Sequence, residues 1–137
     1  TGASIDTANW AGERLSEPQL PIYAALASPE PVAGIAFAKV LMDKPAFSGI
    51  AETSGLLPGL AALGESRQKV FDPERFPDWS HLLAHWSHSL QQVAREVRAG
   101  VAGVVVADEA QLAWCEVLPL LRLAERRRQM ENAETSE

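Results

Sequence analysis

The sequence predicts an α+β fold in which helices pack on a small β-sheet. Residues 79–99 repeat apolar side chains every three or four positions, which is the period of an amphipathic helix. Residues 32–41 are rich in Val, Ile and Phe, which is typical of a buried strand. The chain has 137 residues, of which 47% are hydrophobic, so it can bury one core. We expect one domain over residues 1–130 and a frayed tail over residues 131–137.

The first predicted helix covers residues 17–27. The preceding residues 3–16 are polar and have no clean periodicity, so they read as a loop. Pro18 and Pro21 fit the first turn of the helix, because an amide there has no intrahelical partner to lose. A Ser-Pro-Glu-Pro run over residues 28–31 ends the helix, and the strand over residues 32–41 follows.

The middle of the chain, residues 43–77, has weaker signals. Residues 47–50 predict a short edge strand. Glycines and a proline then interrupt a Leu- and Ala-rich stretch in which we expect one helical turn. We interpret the whole segment as an irregular excursion held by an apolar cluster. The cluster consists of Leu56, Leu57, Leu60 and Leu63.

The long helix over residues 79–99 has clear end signals. Asp78 is a suitable N-cap, and Gly100 stands where a left-handed C-cap belongs. One side is apolar: Trp79, Leu82, Leu83, Trp86, Leu90, Val93 and Val97. The opposite side is polar: His81, His85, His88, Gln92 and Arg95. Spacings of four and three could let the histidines share a metal, but no further ligand completes a site, and solvated or partner-facing histidines are the preferred interpretation.

The C-terminal part predicts a short strand and a last helix. Residues 101–107 are β-branched and bounded by Gly and Asp, which favours an extended segment. Residues 108–111 resemble a capping box that opens a helix. Pro119 is expected to bend or restart that helix. Arg126–Arg128 could touch a phosphate backbone, although basic residues near a helix C-terminus also complement the helix dipole, and we favour the second interpretation.

Charge and composition restrict the possible functions. The net charge is −6 with only three Lys among the basic residues, which argues against an autonomous DNA-binding module. The single cysteine excludes an internal disulfide and fits a reducing cytoplasm. No apolar run is long enough to span a bilayer and no signal peptide is evident. We therefore expect a cytoplasmic location and no membrane partner.

Gln19 and Tyr23 are the leading candidates for functional residues. Residues four apart on a helix share a face, so the amide and the phenol can address one target together. An amide offers donors and an acceptor and a phenol adds a donor, which suits gripping a phosphate or orienting a metal-bound carboxylate. An ordinary half-buried amphipathic helix with a tyrosine at its rim remains open as the alternative.

A family resemblance adds weight to this pair. The chain resembles the nuclease domain of the RecB and AddB family, within the PD-(D/E)XK superfamily, and in particular bacterial proteins described as probable DNA repair proteins with a C-terminal exonuclease domain. In that family a strand ending in Asp-Tyr-Lys-Thr-Gly precedes a helix that opens with Gln-Leu-x-x-Tyr. Thr1-Gly2 matches the end of the strand motif, and Gln19 and Tyr23 match the helix motif. The likeness covers most of the chain outside residues 43–77.

The resemblance implies a partial restriction-endonuclease-like core from a metal-dependent DNA exonuclease that acts in DNA repair or recombination. The family's catalytic carboxylates and Lys precede Thr1-Gly2, so Mg²⁺ or Mn²⁺ would be held by a longer parent protein and this chain alone would be inactive. Gln19 would orient the site or the scissile phosphate, and Tyr23 would contact phosphate or buttress the site. Trp10 and Arg14 are weaker candidates for contacting the DNA strand. The parent is expected to carry a helicase-like domain or to act with such a subunit.

Cys115 bears on a second property of the family. Many relatives hold an iron–sulfur cluster through a C-terminal Cys-x-x-Cys-x(5)-Cys. The run over residues 112–122 resembles that segment with two ligand positions changed to Leu. One thiolate cannot hold a four-iron cluster, so no iron–sulfur cluster is expected.

Two other functions stay open. The first is a non-catalytic interaction module that docks a partner through Trp-rich faces, although core packing explains the tryptophans equally well. The second is a structural domain in a DNA-processing complex whose parent nuclease is degenerate. The tryptophans are Trp10, Trp79, Trp86 and Trp114.

Overall fold

The structure is a computed structural model. It describes residues 6–40, 45–65 and 70–101 as continuous segments. Ten further positions are described singly or in pairs: Gly103, Leu112, Cys115, Glu116, Leu120, Arg122, Leu123, Glu125, Arg128 and Gln129. The chain divides into two compact units, Thr1–Gly100 and Val101–Glu137, and each is considered by itself.

The predicted first helix is confirmed within two residues of its expected start. A helix α1 covers Gln19–Ile22 and continues as a π-helical turn over Tyr23–Ala27; we call Gln19–Ala27 the motif helix. Pro18 precedes the first turn, and its carbonyl accepts the amide of Ile22 at 2.9 Å. Pro21 lies in the first turn, where its missing amide costs no helix bond.

The loop predicted over residues 3–16 is wrong in one part of residues 6–16, and residues 3–5 lie outside the described residues. Thr7–Trp10 form a single 3-10 turn, whose first residue is preceded by Asp6. The Asp6 carboxylate accepts the amide of Ala8 at 2.9 Å, which is the usual capping arrangement at the start of a helical turn. The turn ends on Trp10, which is fully buried, so burial of a large aromatic side chain stabilises a segment with no periodic signal.

A three-stranded mixed sheet follows, made of β1 (Gly34–Lys39), β2 (Ala46–Ala51) and β3 (Ala61–Ala62) in the order β1-β2-β3. Strands β1 and β2 are antiparallel, whereas β2 and β3 are parallel. The strand predicted over residues 32–41 is confirmed in its central part. The strand predicted over residues 47–50 is confirmed as part of β2. Its predicted place at the edge of the sheet is wrong, because β2 has a neighbour on both sides.

Residues 55–64 do not contain the predicted helical turn. They form turns before and after β3, and the amide of Leu63, which directly follows β3, donates to the carbonyl of Ala51 at 2.8 Å. Of the predicted apolar cluster, Leu60 is buried and Leu63 packs against the core, but Leu56 is exposed. Glycines with positive φ, including Gly55 and Gly59, break any helical period here.

The long helix α2 covers Trp79–Arg98, as the sequence predicts. The Asp78 carboxylate accepts the amide of His81 at 2.9 Å, and Gly100 has a φ of 70°, so both predicted caps form. The apolar side turns inward at Trp79, Leu82 and Trp86, which are buried. Its last member, Val97, is 71% exposed.

The core joins the N-terminal turn, the sheet and α2 around aromatic side chains. Trp86 contacts Trp10 and Trp79 edge to face, with ring centroids 6.5 and 5.8 Å apart. Trp10 also stacks on Phe37 of β1 at 6.1 Å. Such aromatic pairs add to the free energy of area burial, by about 1 kcal/mol each. The coarse α+β prediction is therefore confirmed, while the restriction-endonuclease-like core stays a prediction.

Most C-terminal predictions lie outside the described residues. These are the strand over residues 101–107, the capping box over 108–111, the bend at Pro119 and the tail over 131–137. In the described part of the unit Val101–Glu137, Arg122 and Glu125 form an exposed ion pair. Across the described chain, no helix is both long and apolar enough to cross a membrane.

Candidate functional site

Gln19 and Tyr23 lie one turn apart on the exposed side of the motif helix. Both side chains are exposed, Tyr23 by 55%. The opposite side holds Leu20 and Ala24, which pack against the core. The helical period separates the two sides, so the predicted pairing on one face is observed. Neither polar group has a hydrogen-bond partner among the residues that the structure describes, so both can reach a ligand or another part of a protein.

Trp10 is not placed as expected for a residue that contacts a DNA strand. Its side chain is 0% exposed, so it offers no surface to DNA in this structure. Its indole Nε1 donates to the Glu17 carbonyl at 3.1 Å. Its own carbonyl accepts the Trp86 indole Nε1 at 2.8 Å. These bonds give Trp10 a structural role between α2 and the start of the motif helix.

Arg14, the other residue predicted to contact a DNA strand, is accessible but already forms an ion pair with Glu96. Its side chain is 47% exposed, and Nη1 donates to the Glu96 carboxylate at 2.7 Å. The Arg14 hydrogen bond, followed by one from Gln92, holds the pKa of Glu96 below its ordinary value. Because the pair is open to solvent, its attraction is weak and screened by salt. A phosphate would have to compete with this carboxylate for the guanidinium.

Four consecutive carbonyl groups of the loop over residues 10–13 each accept a side-chain hydrogen bond. We call this loop the clamped loop. The donors, in the order of the carbonyls, are Trp86 Nε1 at 2.8 Å, Arg75 Nη1 at 2.9 Å, His85 Nε2 at 2.9 Å and Ser89 Oγ at 2.7 Å. Three of the donors lie on α2. This arrangement cannot be predicted from the sequence, because backbone carbonyl groups carry no sequence signal.

His85 is placed differently from the prediction that all three histidines face away from the core. Its ring packs edge to face on Phe76, with centroids 5.2 Å apart, and Nε2 lies 2.9 Å from the Gly12 carbonyl. A carbonyl can only accept, so the bonded Nε2 carries the proton. Burial, the largest cause, lowers the pKa of His85 below its ordinary value, with the Gly12 bond acting in the opposite direction.

Metal ligands do not converge in the described part of the chain, where no group of three or more His, Cys, Asp or Glu could hold an ion. His81 instead contacts the Asp78 carboxylate at 2.9 Å, and this hydrogen bond lowers the pKa of Asp78. Cys115 is half-buried. Arg128 is exposed, whereas Arg126 and Arg127 lie outside the described residues.

An open apolar groove of about 370 Å³ lies between the motif helix and α2. Most of its wall consists of leucine, isoleucine, valine and proline side chains, and Arg14 also lines it. The apolar members are Leu15, Pro18, Ile22, Leu26, Leu90, Val93 and Ala94. Ile22 and Leu26 are exposed, so apolar surface remains in contact with solvent beside the Gln19 and Tyr23 helix.

Comparison of the chain with protein-family models, with curated proteins and with solved structures gives no match. The resemblance to RecB- and AddB-like nucleases therefore stays a prediction from the residues that carry it.

Proposed function

We propose that this chain is the C-terminal part of a PD-(D/E)XK exonuclease domain that hydrolyses DNA in repair or recombination. The observation that carries the proposal is that Gln19 and Tyr23 are both exposed on one face of the motif helix and have no hydrogen-bond partner among the described residues. Two residues four apart share a face on any helix, so their common direction alone does not favour a nuclease. The support is that both side chains are exposed and that they match the family's helix motif.

The order of elements also supports the proposal. The resemblance puts a strand before Thr1-Gly2, and the structure has the motif helix and then β1. Strand, helix and strand in this order usually form a right-handed crossover with parallel strands. One edge of β1 pairs with β2, and the other has no partner among the described residues. A preceding strand can pair at that edge, and the motif helix would then begin at the end of the sheet where that strand ends.

The residues of this chain do not fit a metal site by themselves. One amide and one phenol cannot supply the oxygen ligands that Mg²⁺ requires. Among the described residues, no three His, Cys, Asp or Glu side chains lie close enough together to hold a metal ion. In the proposed parent, carboxylates before Thr1 would hold Mg²⁺ or Mn²⁺, which would supply activated water and charge neutralisation. Gln19 would contribute an amide that orients a carboxylate or the scissile phosphate. Tyr23 would contribute a phenol hydroxyl that donates to a phosphate oxygen.

The codons before Thr1 give the first test. The proposal requires an acidic residue, one intervening residue and a Lys immediately before Thr1-Gly2. A serine- or glycine-rich linker at that position would contradict it.

The second test is enzymatic and uses the intact parent protein. With Mg²⁺ or Mn²⁺ it should degrade DNA, and Gln19→Ala should lower kcat by about 10- to 100-fold, as is typical when a group that orients a metal ligand is lost. Gln91→Ala is the matched control, because Gln91 is an exposed glutamine on α2 whose amide bonds only Ser87. Equal kcat values in the two variants would remove Gln19 from the site.

A second candidate function rests on the apolar groove. Exposed Ile22 and Leu26 beside a 370 Å³ groove are also what a protein-docking module would show. The two functions differ in their requirement for the sequence before Thr1. A docking module needs no acidic residue or Lys there, so the same codons discriminate between them.

A further inference from the structure

We infer that Trp10 is a positioning residue: its hydrogen bonds connect α2 to the start of the motif helix and so fix the position of Gln19. Its effect on catalysis rests on the proposed function, whereas its effect on the motif helix does not. The inference replaces the expectation that Trp10 contacts a DNA strand. It depends on two indole hydrogen bonds arranged in series.

The first bond attaches Trp10 to α2. Trp86 Nε1 donates to the Trp10 carbonyl at 2.8 Å, and both side chains are fully buried. A buried carbonyl that lost this donor would keep its desolvation cost without the compensating bond. The backbone of Trp10 is therefore held at a fixed position along the axis of α2.

The second bond attaches Trp10 to the motif helix. Trp10 Nε1 donates to the Glu17 carbonyl at 3.1 Å. Pro18 follows, with φ fixed near its observed −78°, and its carbonyl accepts the first bond of the helix from Ile22 at 2.9 Å. With a stiff proline between them, the position of the Glu17 carbonyl sets where Gln19 begins the helix.

The clamped loop makes the connection rigid. Besides the bond from Trp86, the carbonyls at residues 11, 12 and 13 accept Arg75, His85 and Ser89. Arg14 follows directly and pairs with Glu96 of the same helix. A chain segment bonded at each successive carbonyl cannot shift along α2 without breaking several bonds together.

Trp79 supplies a matched control for plain core packing. It is buried like Trp10, contacts Trp86 edge to face, and donates its indole Nε1 to a backbone carbonyl. The acceptor is Val32, which precedes β1 and not the motif helix. Trp→Phe at either position removes a buried indole and one side-chain-to-backbone bond, but only Trp10→Phe breaks the connection to Glu17.

The experiment measures backbone hydrogen exchange in the intact protein carrying Trp10→Phe or Trp79→Phe. In each variant, exchange at the amides of residues 22–27 is scaled to the exchange of α2. On this scale Trp10→Phe should exchange about tenfold faster than Trp79→Phe, because the loss of one hydrogen bond permits a change of this size. In the proposed nuclease it should also lower kcat by about tenfold at unchanged KM, while Trp79→Phe alters kcat by less than about threefold.

The outcomes separate the two ideas. Equal acceleration of residues 22–27 in both variants would overturn the positioning role of Trp10. Selective acceleration in a parent without nuclease activity would support the positioning role and contradict the proposed function. A kcat unchanged by Trp10→Phe despite selective acceleration would overturn the catalytic part of the inference.

Ser89→Ala tests the same connection with a smaller change, should the tryptophan variant fail to fold. It removes only the hydroxyl that donates to the Glu13 carbonyl. Ser87→Ala is its control, since Ser87 is on the same helix and its hydroxyl accepts only an exposed amide. Ser89→Ala should accelerate exchange of the Ser16 amide, which donates to the Asn9 carbonyl at 3.4 Å, by about threefold over Ser87→Ala, as loss of a weaker hydrogen bond allows. Identical exchange in both serine variants would contradict a rigid clamped loop.

Discussion

His85 shows how a single residue can differ from its helical pattern. The period of α2 puts it on the polar side with His81 and His88, and the three differ in surroundings. His85 packs on Phe76 and bonds the Gly12 carbonyl, whereas His81 contacts Asp78 and His88 is exposed. Burial in the folded chain therefore lowers the pKa of His85, because it penalises the charged ring.

This environment predicts a pH dependence of stability. The folded-state pKa of His85 lies below its ordinary value, so when the pH falls through about 6.5 the unfolded state binds the proton first. The free energy of unfolding should therefore decrease between about pH 7.5 and about pH 5.5. His85→Gln keeps a donor for Gly12 without a titrating ring and should flatten this slope, as measured by urea unfolding at the two pH values. His88→Gln should keep most of the wild-type slope, because the His88 charge is a smaller cause of the lowered His85 pKa than burial. A steep slope in His85→Gln would contradict the assignment.

Periodicity predicted the placement of Gln19 and Tyr23 but not that of Trp10. Two residues four apart share a helix face whatever surrounds the helix, so their common exposure follows from local geometry. Trp10 is buried by partners more than 20 positions away, including Phe37 and Trp86. Such contacts are set by tertiary packing, and residues 3–16 carry no pattern from which they follow.

Both ends of helix α2 could be predicted from the sequence, whereas the order of strands in the sheet could not. Local signals at Asp78 and Gly100 define both ends of α2. Strand β2 was expected at an edge, whereas it lies between β1 and β3, and β3 has only two residues, Ala61–Ala62. Two residues are too few to produce an alternating pattern, so the partner that makes β2 central cannot be recognised in the sequence.

The close pairing of β1 and β2 predicts a strong effect of Gly49→Ala. A Cβ at residue 49 would lie 2.6 Å from the Cα of Ala36 and would also strike the Ile35 carbonyl oxygen. Backbone cannot rotate away as a side chain can, so the substitution should lower the free energy of unfolding by about 3 kcal/mol or more. Urea unfolding followed by tryptophan fluorescence measures it. Gly103→Ala is the control, because no described atom lies within 4 Å of its added Cβ; similar losses in both variants would contradict tight strand pairing at Gly49.

The net charge of the whole chain limits its affinity for DNA. The net charge of −6 repels phosphate, and only 12 of the 137 residues are Lys or Arg. Arg14 and Arg122 already pair with Glu96 and Glu125. Counterion release needs several cations aligned along one backbone, and the charged pairs that the structure describes neutralise two of the available ones. Affinity for DNA must therefore come mainly from other parts of the proposed parent.

The 137-residue chain alone should thus bind a DNA duplex of about 20 base pairs no more tightly than about 10⁻⁴ M at physiological salt, the weak end of non-specific binding. Fluorescence anisotropy of labelled DNA at about 50 and about 200 mM salt measures both the affinity and its salt dependence. Glu96→Gln frees Arg14 from its carboxylate, and the release of one exposed cation should strengthen binding by less than about tenfold. The intact parent is the positive control. Micromolar binding by the chain alone, with a steep loss on adding salt, would show that its own arginines form a DNA surface and that the proposed division of charge is wrong.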